Sequence, residues 1–452
     1  MCLSKTSIQF SCFFFIAAVQ AYKTFEPECS TPPADVNYVA SPNSRGTLNI
    51  LWSSLLTIFA CTWTIHHPNV PRQYHGYRHN WSWALRGFLK STGRMVLTIF
   101  APEIIIAVAY NEFLAARVDH KSLVSQAKED EINWSWTHTY YANMGGFVIE
   151  KNDYEHWVRG EYNMHHLSGR DILILRKKRY IEKLPNITER ELKDRVKSDS
   201  LVKAISIIQI IWSAAQILVR TVRRLSICPL ELTVLAFALC AIAIYLLYWY
   251  KPKSIGISTT IIRKKLYSEI QDILKQARVT GVDITQTEKS DNPVNESAET
   301  KTLKAYTMAN LLLPGSSLLE EGAPMRIDAI RKGPEFDDSI FWTLFVGMVL
   351  FGAIHIGAWN FEFPTKTELY LWRYSAIYST SSAFIAAVVV FLRRAATKHL
   401  GKLNILSALL FYCGIVLSLA SSLLYVPTRL FFLVEMLRTL CFLPPKSYTS
   451  TW

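Results

Sequence analysis

Apolar residues along this chain come in long, nearly unbroken runs rather than in the alternation of a half-buried strand or the three-four spacing of a half-buried helix. Seven runs, at 47–66, 94–116, 203–220, 229–250, 340–360, 369–392 and 403–424, carry few charges and are bordered by Trp, Tyr, Lys and Arg. A spanning helix needs about 20 apolar residues. The pattern therefore predicts an all-α polytopic membrane helix bundle of about seven transmembrane helices with two long hydrophilic loops.

The run at 203–220 is the shortest, with sixteen uncharged residues between Lys203 and Arg220. Ile205, Ile207, Ile208, Ile210, Ile211 and Trp212 are apolar around too much of a helix to suit a one-sided surface helix. It reads as a crossing that forms a hairpin with 229–250; the alternative is an interfacial helix. ThrGluArgGlu from Thr188 is a capping-box signature and predicts a helix that starts there and continues through Leu225.

The connection 117–202 is expected to be structured, with an aromatic run from Trp134 and a GlyGly at Gly145. The connection 251–339 is expected to hold a helix near 261–278 and then a disordered stretch to about residue 304, too poor in apolar residues to pack. Ahead of the first run, 1–21 has the anatomy of a signal peptide, with Lys5 before a short apolar stretch and a small-residue ending at Ala21; an uncleaved anchor is the alternative. Either places 22–46 outside the cytosol. The remaining divisions are 47–116 for helices one and two, 203–250 for the hairpin, 340–424 for the last three helices, and 425–452 as an interfacial C-terminal segment.

Composition agrees: half of the 452 residues are hydrophobic and 19% are charged, against roughly a quarter charged in soluble domains. The net charge of +13 calls for no nucleic acid, because its basic residues flank apolar runs, where they act as orientation signals or contacts to anionic lipid. Seven crossings behind a signal put the C-terminus in the cytosol. Among short loops this places nine basic residues inside and six outside, although Lys251, Lys253 and the basic loop before the seventh run argue the other way. Sequons at Asn133, Asn186 and Asn295 are then expected in the lumen as glycosylation sites, and the one at Asn80 is not.

The blocks SPNSRGTLNILWSSLLTIFACTWTIHHPNVP, APEIIIAVA, DRVKSDSLVKAISIIQIIW, LELTVLAF, FPTKTELYLWRYSA and the terminal VPTRLFFLVEMLRTLCFLPPKSYTSTW, in that order, resemble a large family of uncharacterised multi-pass integral membrane proteins of filamentous ascomycetes and basidiomycetes. The resemblance implies the architecture and no chemistry.

Motifs add little. The His-x3-His pair between His75 and His79 lacks the further boxes of a di-iron site, the eight cysteines form no Cys-x2-Cys pair, and phosphate-loop and nucleophile-elbow motifs are missing. No metal, cofactor or disulfide framework is expected. Glu103 stands out instead, a carboxylate inside the second run, where an uncompensated charge costs at least a few kcal/mol. Pro102 beside it is expected to kink the helix, and His355, well inside the fifth run, is the partner the sequence suggests; the alternative is a structural Glu103, protonated or hydrogen-bonded, that pins two helices together. The function read from this is binding, transport or sensing of a small or lipidic ligand within the bundle, in the plasma membrane or an endomembrane of the secretory pathway, with membrane lipids as partners. The alternative is a membrane-embedded enzyme acting on a lipid or hydrophobic metabolite.

Overall fold

The structure, a computed structural model, describes residues 44–71, 81–150, 164–196, 200–253, 255–263, 334–399 and 405–451. The expected signal peptide, Asn80, Asn295 and the stretch 264–304 lie outside these residues. The described residues are mostly helical: α1 (Thr47–Thr64), α2 (Trp81–Phe100), α3 (Pro102–Glu129), α4 (Trp136–Asn143), α5 (Gly169–Lys177), α6 (Glu189–Asp194), α7 (Ser200–Val222), α8 (Pro229–Leu247), α9 (Pro334–Ile356), α10 (Lys366–His399) and α11 (Ile405–Arg438), with strands β1 (Phe147–Glu150), β2 (Met164–Leu167) and β3 (Thr259–Arg263).

Five stretches are long and apolar enough to cross a membrane: Thr47–Thr64, Ala204–Val222, Pro229–Leu247, Lys366–Phe391 and Tyr412–Phe442. The bent pair Gly87–Phe100 and Pro102–Glu129 makes a sixth if it counts as one span, and the apolar helix Phe341–Ile356 is shorter. On α7, Ile207, Ile208, Ile211 and Trp212 are exposed, an outward apolar face of the kind that lipid covers.

One end of the bundle carries a small α/β layer, and here the all-α expectation is corrected. β1 pairs antiparallel with β2 and parallel with β3, giving the order β2-β1-β3. α4 and α5 pack on this sheet with the far end of α3 around Leu123, Tyr141, Phe147 and Ile172, all fully buried. The aromatic run from Trp134 thus builds a core, and residues 259–263, expected at the edge of a helix, are a strand.

The Thr188 cap forms as expected, its hydroxyl accepting from the Glu191 N–H. The helix that it starts nevertheless stops at Asp194 instead of running on to Leu225. Val196 pairs with Ile255 in an isolated antiparallel bridge, and Arg195 Nη1 donates to Thr259 Oγ1 at 2.7 Å. Both contacts tether this segment to the chain leaving α8, so α7 starts afresh at Ser200.

At the opposite end the chain before α1 meets the chain after α11. Ser44 and Thr449 form an antiparallel bridge, and the Arg45 N–H donates to the Tyr448 carbonyl at 2.8 Å. These contacts bring the two segments together at one end of the bundle, where seven successive crossings would set them at opposite ends. The last helix also runs past 424 to Arg438 with Pro427 inside it, so residues 425–438, assigned from sequence to an interfacial segment, continue α11.

Candidate functional site

Pro102 is the first residue of α3. Its ring fixes φ and it has no N–H to give, which suits the first turn of a helix and ends the one before. Ala101 takes φ −145° and ψ 66°, and α2 and α3 diverge there by 110°. The expected kink is therefore a full break. Glu103 falls in the first turn of α3, where unpaired backbone N–H groups and the helix dipole favour an anion.

Glu103 is completely buried. Its Oε1 accepts from Arg429 Nη2 at 2.7 Å and lies at the Tyr425 hydroxyl. That hydroxyl has one proton and also reaches the Phe100 carbonyl at 3.1 Å. The Arg429 guanidinium sits 4.2 Å from the centroid of the Phe351 ring and 5.0 Å from that of Tyr425, so two aromatic faces help to hold the cation. Close approach of α9 depends on Gly347, where a β-carbon would come within 3.0 Å of Glu103 Cβ.

Hydrogen-bonding capacity is left over. Glu103 Oε2 and Arg429 Nε and Nη1 are buried without a partner. Arg429 also borders a cavity of about 10 Å³, with Thr233, Phe237, Phe351 and His355 among its walls, which is room for about one water.

His355 is fully buried, but it is not the partner of Glu103. Its Nδ1 lies 2.8 Å from the Phe351 carbonyl, which only accepts, so Nδ1 carries the proton. Nε2 lies 3.4 Å from Thr233 Oγ1, a hydroxyl that donates to the Pro229 carbonyl at 3.0 Å. The ring also packs on Phe351 and Phe432 at 4.6 and 4.5 Å. Phe351 thus touches both His355 and Arg429, and Arg429 takes the role that the sequence suggested for His355.

Sequence reasoning missed Arg429 and Tyr425. TyrValProThrArg after Leu424 has the look of a helix leaving a membrane, yet the apolar LeuPhePheLeuVal that follows Arg429 shows that the run had not ended. The expected glycosylation sites Asn133 and Asn186 are both exposed on the α/β layer.

A family model described as "Family of unknown function (DUF8562)" matches residues 11–284. The chain belongs to this family. No curated protein and no solved structure matches it. The family match takes in the α/β layer, Pro102 and Glu103 and stops before α9, so His355, Tyr425 and Arg429 come from the part of the chain beyond it.

Proposed function

We propose that this chain is a polytopic membrane protein, akin to the fungal multi-pass proteins that it resembles, that binds, transports or senses a small or lipidic ligand inside its helix bundle. The observation that carries the reading is the broken helix at Ala101 and Pro102. It delivers a carboxylate and the positive end of a helix to a buried guanidinium with two unused nitrogens beside a water-sized cavity. Helices interrupted at membrane depth are the usual way a bundle offers polar groups to a solute. A ligand larger than water needs α9 or α11 to part from α3, and such opening is what a transport or sensing cycle supplies.

The test is native mass spectrometry of protein extracted from its own membranes. The parent should retain a lipid or metabolite that a Glu103→Gln and Arg429→Met double variant, still uncharged overall at this site, has lost. Equal retention by both forms, or none by either, overturns the reading. A stoichiometric transition metal in its place would favour the enzyme.

A further inference from the structure

We infer that α2 and α3 form a re-entrant hairpin, that α1, α7, α8, α9, α10 and α11 make six crossings, and that the α/β layer faces the cytosol with the segments around Ser44 and Thr449 on the other side. The inference rests on the membrane reading of the helices and on no ligand, so it and the ligand reading fail separately.

The hairpin follows from its flanks. Val70, beyond α1, donates its N–H to the Met144 carbonyl at 3.1 Å and shares a core with Leu123 and Ala127 at the far end of α3. One packed core cannot straddle a bilayer, so the chain enters α2 and leaves α3 on one side. The irregular backbone at the tip satisfies the condition for such an element: Ala101 is 4% exposed and Glu103 0%, inside protein and away from lipid.

The other helices settle the parity. β1 precedes the α7–α8 hairpin and β3 follows it, and the two strands pair, so the hairpin starts and ends on the layer side. Phe237 against Phe351 and Thr233 against His355 make α9 antiparallel to α8 and end it on the far side. There the start of α10 meets the end of α11 through Glu368 and Arg438 at 2.6 Å. Six crossings bring the tail back beside Ser44, as the bridge to Thr449 requires.

Charge gives the direction. By sequence, Arg72 and Arg78 fall between α1 and α2, Arg86 and Lys90 in the first half of α2, Lys251 and Lys253 just after α8, Arg393, Arg394 and Lys398 in the last turns of α10, and Lys402 between α10 and α11, all on the layer side. The opposite side has fewer, Arg45, Arg220, Arg223, Arg224, Lys366, Arg438 and Lys446. The excess marks the layer side as cytosolic, and the signal-like segment at the N-terminus agrees by putting Ser44 outside. The basic residues that contradicted seven crossings fall into place with six.

Asn133 and Asn186 are therefore unglycosylated despite their exposure. The experiment expresses the full chain with a sequon added on a flexible extension after Trp452 and follows its mobility with endoglycosidase. The expected result is one shift that disappears when the added Asn is changed to Gln and persists in Asn133→Gln and Asn186→Gln. A shift that depends on Asn133 or Asn186, or no shift at all, overturns the proposal.

Discussion

Glu103 and Arg429 lie on different helices, 326 residues apart in sequence, and meet at 2.7 Å with side chains 0% and 4% exposed. Both charges are withdrawn from bulk solvent, so each is tolerable because of the other. Arg429→Met strands the carboxylate and should cost about 3–5 kcal/mol, whereas the double change to Glu103→Gln and Arg429→Met replaces a buried pair and should come close to neutral. Thermal unfolding in detergent of the two single variants and the double variant completes the cycle. A double variant no more stable than Arg429→Met would show that the two residues do not act as a pair.

How much of this was legible in the sequence follows from range. Hydrophobic runs are local, and each of the seven lands on helix; the Pro102 break and the Thr188 cap are local too. The strands PheValIleGlu and MetHisHisLeu are four residues each, too short to show a period, and β1 owes its parallel partner to a segment more than a hundred residues away. Arg429 was hidden in the same way: a lone Glu in a span demands a counter-charge, but one sequence does not say which helix brings it. The contact between the two ends of the described chain is a bridge between residues more than four hundred apart in sequence, which no local pattern carries.

Gly352 illustrates local spacing with a structural consequence. Gly347, Gly352 and Gly357 are spaced by five, too far apart for one helix face, and they meet different neighbours: Gly347 meets α3, Gly352 meets α10 and Gly357 meets Leu232 of α8. A β-carbon at Gly352 would stand 2.6 Å from the Thr380 backbone nitrogen, and backbone cannot swing aside. Gly352→Ala should force α9 away from α10 and destabilise by about 1–3 kcal/mol, lowering the thermal midpoint. An unchanged midpoint would mean that the two helices separate at no cost.

The α/β layer should be sensitive to acid. Asp130 is buried and accepts from Arg176 Nε and Nη2 at 3.0 and 2.6 Å and from the Leu184 N–H at 2.8 Å. The Arg176 guanidinium holds its carboxyl below the usual carboxylate range. A carboxyl whose pKa is depressed by folding stabilises the fold fully above its unfolded value and ceases to do so as the pH falls through the folded one. Hydrogen exchange in α4 and α5 should thus accelerate as the pH drops below the ordinary Asp range, after correction for intrinsic rates. In Asp130→Asn it should be faster at neutral pH, by roughly tenfold or more, and should lose that acid dependence. An acid profile identical to the parent's would assign the effect to other groups.

Arg220 offers the last test, because it holds the end of the chain through backbone alone. Its guanidinium is fully buried and donates to the carbonyls of Ser226, Lys446, Ser447 and Thr449 at 2.6–3.1 Å. Carbonyls belong to every residue, so the side chains of the tail should be replaceable. Lys446→Ala and Thr449→Ala, at exposed positions, should stay within about 0.5 kcal/mol. Ser447→Ala should be neutral or slightly stabilising, since its buried hydroxyl has no partner. Arg220→Met, in contrast, leaves four buried or half-buried carbonyls without their donor at about 1–3 kcal/mol for a buried polar group stranded this way, and should release the tail to protease from the face where Ser44 lies. Protease digestion and thermal unfolding of the four variants check the contrast. Comparable losses from Lys446→Ala or Thr449→Ala would show that side chains, not carbonyls, anchor the tail.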